Sequence, residues 1–213
     1  MILLNIIKKY FYKFRRVGSS FFTYDCVCCG KAVRGKCLCD DCEKNVIPAV
    51  NRESGKAAAY IYEASPKKTM LMAKFHGGEY CMDALVDWLS LARIHFDGIN
   101  FDFAVPVPIY GGGKNIVYHI AEEFCIKNDI PFKPRVLRKI RMTRKQHRIF
   151  YYERKTNLID AFEASEEVSG KTVLLIDDII TSGATAFECS KALIKSGAER
   201  VCVLTVLKSK YDE

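Results

Sequence analysis

The sequence predicts an α/β fold, a mainly parallel twisted sheet flanked by helices, with a small N-terminal metal-binding module. Three observations predict it. Two apolar runs, Val173–Ile176 and Arg200–Leu207, are joined by a helical segment ending near Gly197, the pattern of parallel strands linked by a crossover helix. The first run meets an acidic pair, Asp177-Asp178, followed by the small-residue turn Thr181-Ser182-Gly183-Ala184-Thr185. Six of the ten cysteines crowd between Cys26 and Cys42.

Bulk properties narrow the class. A chain of 213 residues, 49% apolar and 27% charged, has the composition of a globular protein, which excludes disordered and fibrous classes. No apolar run approaches the roughly 18–20 residues that span a bilayer, so no transmembrane segment is predicted. Met1–Ile7 is apolar, but Lys8, Lys9 and Lys13 follow rather than precede it, and no small-residue cleavage site follows, so no signal peptide is predicted. The net charge of +8 is concentrated: residues 133–155 hold ten Lys/Arg against the single acid Glu153. Such a patch attracts polyanions, either pyrophosphate or nucleic acid.

The elements follow in order. Residues 1–23 form a basic segment in which 2–17 read as an amphipathic helix, with docking on the protein itself favoured over membrane contact. Residues 24–48 form the cysteine module, and Pro48 and Gly55 mark a linker before a domain over 56–213. Ala59–Ala64 reads as a first strand, and Pro66 opens a short helix ended by Gly77-Gly78. Met82, Leu85, Val86 and Leu89 recur at helical spacing and predict a helix over 79–93 with one buried stripe. Phe101–Val107 is a strand closed by Pro106 and Pro108, with Gly111-Gly112-Gly113-Lys114 after it. From Asn115 onward Ile116, Val117, Ile120, Ala121 and Phe124 line a helical face, and 134–138 reads as a further strand.

The cysteine spacing Cys26-x-x-Cys29 and Cys39-x-x-Cys42 makes two hooks nine residues apart, suited to tetrahedral Zn²⁺ in a closed, structural site. Cys28 and Cys37 are surplus, so the ligand set is not unique from sequence. Without a secretory signal this clustering suggests a reducing, cytoplasmic setting. Cys81, Cys125, Cys189 and Cys202 read as core residues.

Ligand sites in open α/β sheets form at the carboxyl ends of strands. There, Asp177 and Asp178 can accept hydrogen bonds from ribose hydroxyls or hold Mg²⁺, directly or through water. Gly183 lets the backbone approach a phosphate, and the helix start beyond it favours negative charge. Capping alone explains one polar residue there, not three hydroxyl residues beside two acids.

The run Asp177–Thr185 resembles the phosphoribosyl-pyrophosphate (PRPP) signature of type I phosphoribosyltransferases. The resemblance implies that Asp177 and Asp178 take the ribose 2′- and 3′-hydroxyls, and that Thr181, Ser182, Gly183, Ala184 and Thr185 take the 5′-phosphate. The rest of the chain is similar to the ComF branch, associated with competence for DNA uptake. The matching features are the four-cysteine module, Lys74-Phe75 ahead of Gly77, and Val105-Pro106-Val107-Pro108, then Thr143, Gln146, Glu153-Arg154, Asn157 and Ala161-Phe162. That branch usually carries Arg-Gly-Phe-Asn-Gln after its Pro-Val-Pro element, where this chain has Gly112-Gly113-Lys114-Asn115-Ile116. The glycines and Lys114 either bind pyrophosphate or form a plain strand-to-helix turn.

In the family, the region matching the basic stretch is a mobile loop closing over the site. Its cations and the following Phe150, Tyr151 and Tyr152 also suit single-stranded DNA. The resemblance thus implies transfer of a phosphoribosyl group from PRPP, or binding of a related ribose 5-phosphate, with Mg²⁺. The alternative is an accessory that handles single-stranded DNA beside competence-machinery proteins. The four histidines show no metal spacing and receive no role.

Overall fold

The computed structural model describes residues 7, 10, 11, 14, 16–18, 20–51, 54–76, 78–143 and 158–210. Gln146, Glu153, Arg154, Asn157 and the aromatic run 150–152 lie outside the described residues, as does the basic stretch beyond Thr143.

The central sheet has four parallel strands, β3 (Lys56–Ile61), β4 (Phe103–Pro106), β7 (Thr172–Ile180) and β8 (Arg200–Lys208), in the spatial order β3-β8-β7-β4. Its side chains alternate between two cores. Ala104, Leu174, Ile176, Cys202 and Leu204 pack on one face with Leu85, Leu89, Ile120 and Phe124 of helices α3 (Glu79–Ala92) and α4 (Ile116–Asn128). Phe103, Val105, Val173, Leu175 and Val203 pack on the other face with Cys189 and Leu193 of α5 (Ala184–Lys195). Burial on both faces is why these strands read as continuous apolar runs rather than as alternating ones.

Three sequence expectations change. The first strand spans Lys56–Ile61, not Ala59–Ala64, because the chain turns at Ala64 (φ 44°) straight into α2 (Ala64–Phe75). Pro66 sits in the first turn of α2, where its missing N–H costs nothing. The segment expected as a strand at 134–138 is β5 (Leu137–Lys139), which pairs antiparallel with β6 (Phe162–Ala164) in a separate ribbon beside the α5 face. Finally, β7 does not end at Ile176. It runs to Ile180, held by pairing of Asp177, Ile179 and Ile180 with Thr205, Leu207 and Lys208 of β8.

That extension positions the site. β4 pairs with β7 only as far as Pro106 opposite Ile176, with a last bond from Val107 N–H to the Ile176 carbonyl at 2.8 Å. Beyond Ile176, β7 keeps β8 on one side and has an open crevice on the other.

The cysteine segment forms the hairpin β1 (Thr23–Asp25) and β2 (Ala32–Arg34) and the short helix α1 (Asp40–Lys44). It packs on α2 and α3. Tyr24 stacks on Tyr80 at 4.4 Å, Lys68 donates to the Cys28 carbonyl at 2.9 Å, and Cys37, Leu38 and Cys39 join the core containing Met70 and Cys81.

Leu174 is fully buried, whereas Leu91 on α3 is 56% exposed. In chemical denaturation, Leu174→Ala is expected to cost about 2–5 kcal/mol and Leu91→Ala less than about 0.5 kcal/mol.

Candidate functional site

Two sites emerge, a thiol cluster and a cavity at the carboxyl end of the sheet. The Sγ atoms of Cys26, Cys29, Cys39 and Cys42 lie within 4.8 Å of one another, and Cys29 and Cys39 are 3.6 Å apart. Zn–S bonds of about 2.3 Å in a tetrahedron place sulfurs about 3.8 Å apart, close to the Cys29–Cys39 spacing. Local backbone builds it: Gly30 N–H donates to the Cys26 carbonyl at 2.8 Å and Cys39 N–H to Cys26 Sγ at 3.4 Å. Burial alone would raise the Cys26 thiol, but N–H groups of Cys39, Cys29 and Cys28 outweigh it and hold it at about 6. A thiolate ready at neutral pH is what a soft divalent cation requires.

The surplus cysteines are placed elsewhere. Cys37 faces Thr69, with Sγ and Oγ1 4.0 Å apart, and Cys28 lies outside the four-sulfur cluster. All four scattered cysteines, Cys81, Cys125, Cys189 and Cys202, are buried, as expected of core residues.

The cavity, about 690 Å³, is lined by Asp177, Asp178, Thr185, Lys114, Lys74 and His119 among others. It therefore gathers both acids, one turn residue and Lys114, which are scattered in sequence. Asp178 Oδ1 accepts from Ile179 N–H at 2.7 Å, and its Oδ2 holds Lys74 Nζ at 2.8 Å. Asp177 Oδ1 accepts from Asp178 N–H at 2.9 Å. Desolvation, then the adjacent Asp178 carboxylate, push Asp177 well above the ordinary carboxylate range. Lys74 occupies the place a cation would take beside Asp178, so the pair as arranged suits hydroxyl donors better than direct Mg²⁺ coordination.

The turn after β7 has anion-binding geometry. Gly183 (φ 66°) is the N-cap of α5, in a left-handed conformation that a side chain would strain, and no side chain caps this helix start. The first N–H groups of a helix have no partner within it, and they carry the positive end of its dipole. Ser182 Oγ is buried and without a hydrogen-bond partner among the described residues. Ala184 is buried, Thr185 faces the cavity, and Thr181 closes the link to β7.

The glycine turn serves two purposes at once. Gly111, Gly112 and Gly113 all have φ between 72° and 106°, a path only glycine follows without strain. Asn115 caps α4, its Oδ1 accepting from Tyr118 N–H at 2.9 Å. Lys114 lies 5.1 Å above the Tyr118 ring at the cavity edge. The segment is thus a strand-to-helix turn that also sets a cation at the cavity.

Lys74 and His119 are cavity residues that sequence reasoning did not assign. Lys74 was visible only as part of the Lys74-Phe75 similarity, and His119 carried no spacing signal because it arrives through α4. Met82, expected in the buried stripe of α3, is instead partly exposed on the cavity wall.

Two outcomes follow from this geometry. Metal analysis of purified protein should find about one equivalent of zinc, lost in Cys26→Ser and retained in Cys28→Ser. The second outcome concerns Asp177. A carboxyl raised in the folded state stabilises the fold at pH below its unfolded value, a contribution lost as pH rises through its folded value. Asp177→Asn should therefore raise the melting temperature at neutral pH, with the difference vanishing only below the unfolded-state value of about 4.

Comparison with known proteins bears on the family. The model of the phosphoribosyl transferase domain matches residues 89–212, more than half of the chain. Competence protein F of Haemophilus influenzae is 31% identical over 107 residues, 46% of this chain and 47% of that protein. DNA utilization protein YhgH of Escherichia coli K12 is 35% identical over 65 residues, 30% of this chain and 29% of that protein. The aligned stretches thus span half or less of these relatives. Among solved structures, glutamine PRPP amidotransferase from B. subtilis is 21% identical, with a TM-score of 0.44 over 63% of this chain and 30% of that one. Adenine phosphoribosyltransferase from Saccharomyces cerevisiae is 16% identical, with a TM-score of 0.41 over 65% of this chain and 74% of that one. The matched domain, the relatives and the four-cysteine cluster lead to one assignment: the chain belongs to the phosphoribosyl transferase domain family, as a ComF-type member.

Proposed function

We propose that the chain binds PRPP and transfers its phosphoribosyl group to an acceptor, releasing pyrophosphate. The observation that carries this reading is the convergence of Asp177, Asp178, Thr185 and Lys114 on one cavity where β4 stops and β7 continues. In this proposal residues 24–48 are a structural zinc module and 56–213 the catalytic domain, preceded by the basic segment 1–23. The setting is the cytoplasm.

The proposed steps follow from the residues. Thr181–Thr185 receive the 5′-phosphate, with α5 N–H groups and the Ser182 hydroxyl as donors. Asp177 and Asp178 accept from the ribose 2′- and 3′-hydroxyls, fixing the ring. The acceptor's lone pair attacks C1, the C1–oxygen bond breaks, and the electron pair leaves with pyrophosphate. Positive charge builds on the ring in this step, and the nearby carboxylates stabilise it. Lys114 meets the departing phosphates as a point charge. Mg²⁺ arriving with the diphosphate would neutralise it, with the acidic pair holding the ion through water.

Lys74 is a new member of the site in this proposal. It keeps the Asp178 carboxylate placed and charge-balanced before the sugar enters.

The names of the relatives support a second reading, a single-stranded-DNA accessory of competence. Arg138 and Arg141 beside the exposed Ile140 and Met142 offer it a surface. Thermal shift separates the two. Under the enzyme reading, millimolar PRPP with Mg²⁺ raises the melting temperature, and Asp178→Ala abolishes the rise. Lys74→Ala should weaken PRPP binding by about tenfold, since it removes the counter-ion of Asp178. No PRPP response together with salt-sensitive single-stranded DNA binding would favour the accessory. A pyrophosphate-release screen across purines, pyrimidines and amines then identifies the acceptor.

A further inference from the structure

Among the described residues, the N-terminal segment presents an exposed apolar stripe. The described residues between 7 and 18 are helical. Ile7, Tyr10, Phe11, Phe14 and Val17 are 56%, 73%, 70%, 77% and 59% exposed. At about 100° of turn per residue these five share an arc of about 120°, and Arg16 falls on the opposite side. Phe21 and Phe22, also exposed, continue the apolar surface past the helix end. The helix does contact the protein itself. It is tethered, but by its polar side: Arg16 grips both oxygens of Asp87 on α3 at 2.8 and 2.5 Å, and Lys127 of α4 joins at 2.6 Å. Burial works against ionisation of Asp87, but Arg16 and Lys127 outweigh it and hold it below the ordinary range. The tether thus points the stripe away from the domain.

Charge identifies what covers the stripe. The sequence around it carries Lys8, Lys9, Lys13, Arg15 and Arg16, and no Asp or Glu precedes Asp25. A second copy would bring the same cations face to face, a like-charge arrangement that disfavours self-association. An acidic surface with an apolar interior matches both features. Aromatic rings settle at the boundary between headgroups and acyl chains, and adjacent cations add attraction to anionic lipid.

We propose that this helix lies in the plane of an anionic membrane surface, seating Tyr10, Phe11 and Phe14 at the headgroup boundary. The molecule is then peripheral, held through a docked helix rather than a spanning one. Among the described residues no helix is long and apolar enough to cross a membrane.

Co-sedimentation of the full chain with vesicles tests this. The chain should sediment with vesicles of equimolar phosphatidylcholine and phosphatidylglycerol, and at least about tenfold less with phosphatidylcholine alone. Phe11→Ser with Phe14→Ser should lower partitioning to the mixed vesicles by about tenfold or more, at unchanged melting temperature and metal content. If that variant does not fold, Lys9→Glu with Lys13→Glu must reduce binding comparably. The proposal is overturned if wild type stays in the supernatant, or if the charge-reversal or folded aromatic variant sediments like wild type. It is equally overturned if the stripe instead forms a dimer that the aromatic variant breaks, without lipid binding.

Discussion

The site depends on one mismatch in strand length. β4 leaves the sheet at Pro106, while β7 continues to Ile180 on the strength of its pairing with β8 alone. The continuation carries Asp177 and Asp178 into a position with backbone support on one edge and open space on the other. A fully paired strand would have buried the acids against a neighbour, and a strand ending at Ile176 would have left them on a loose turn. The half-paired geometry keeps them fixed and reachable. Its cost is electrostatic: Asp177 is desolvated beside a second carboxylate, a state that sites built to bind donors tolerate.

The helix α2 ties this crevice to the thiol cluster. One end of α2 meets the cysteine module through Lys68 and Thr69, and the other end presents Lys74 to Asp178. The module is therefore more than an appendage in packing terms, since Cys37, Leu38 and Cys39 share a core with Met70 of α2 and Cys81 of α3. A bound metal would stiffen that end of α2 and so fix the approach of Lys74. Lys74 lies outside residues 89–212 matched by the domain model, which makes this arrangement a property of the longer chain.

Much of this was legible in the sequence because it follows local rules. The stripe Leu85, Val86 and Leu89 marked α3, and Asn115 with the apolar face behind it marked α4. The acidic pair and the small-residue turn marked the cavity. What was not legible depends on partners distant in the chain. β7 outran its apolar stretch because Leu207 and Lys208 extend the ladder, and no local signal in Asp177–Ile180 says so. The ribbon of Leu137–Lys139 with Phe162–Ala164 pairs short strands far apart in sequence, so neither carries a strong strand pattern. Lys74 meets Asp178 across 104 residues, a contact that only the tertiary fold creates. The turn at Ala64 relies on backbone strain that its side chain does not advertise.

In the proposed site the acidic pair reads the sugar's hydroxyls while the turn after β7 holds its phosphate. Calorimetric titration with ribose 5-phosphate and with 2-deoxyribose 5-phosphate tests it directly, because the two differ only in a group that Asp177 and Asp178 would bind. A site built around a hydroxyl rejects the analogue lacking it, so the deoxy sugar should bind at least about tenfold more weakly. Equal affinities for the two sugar phosphates would contradict the account.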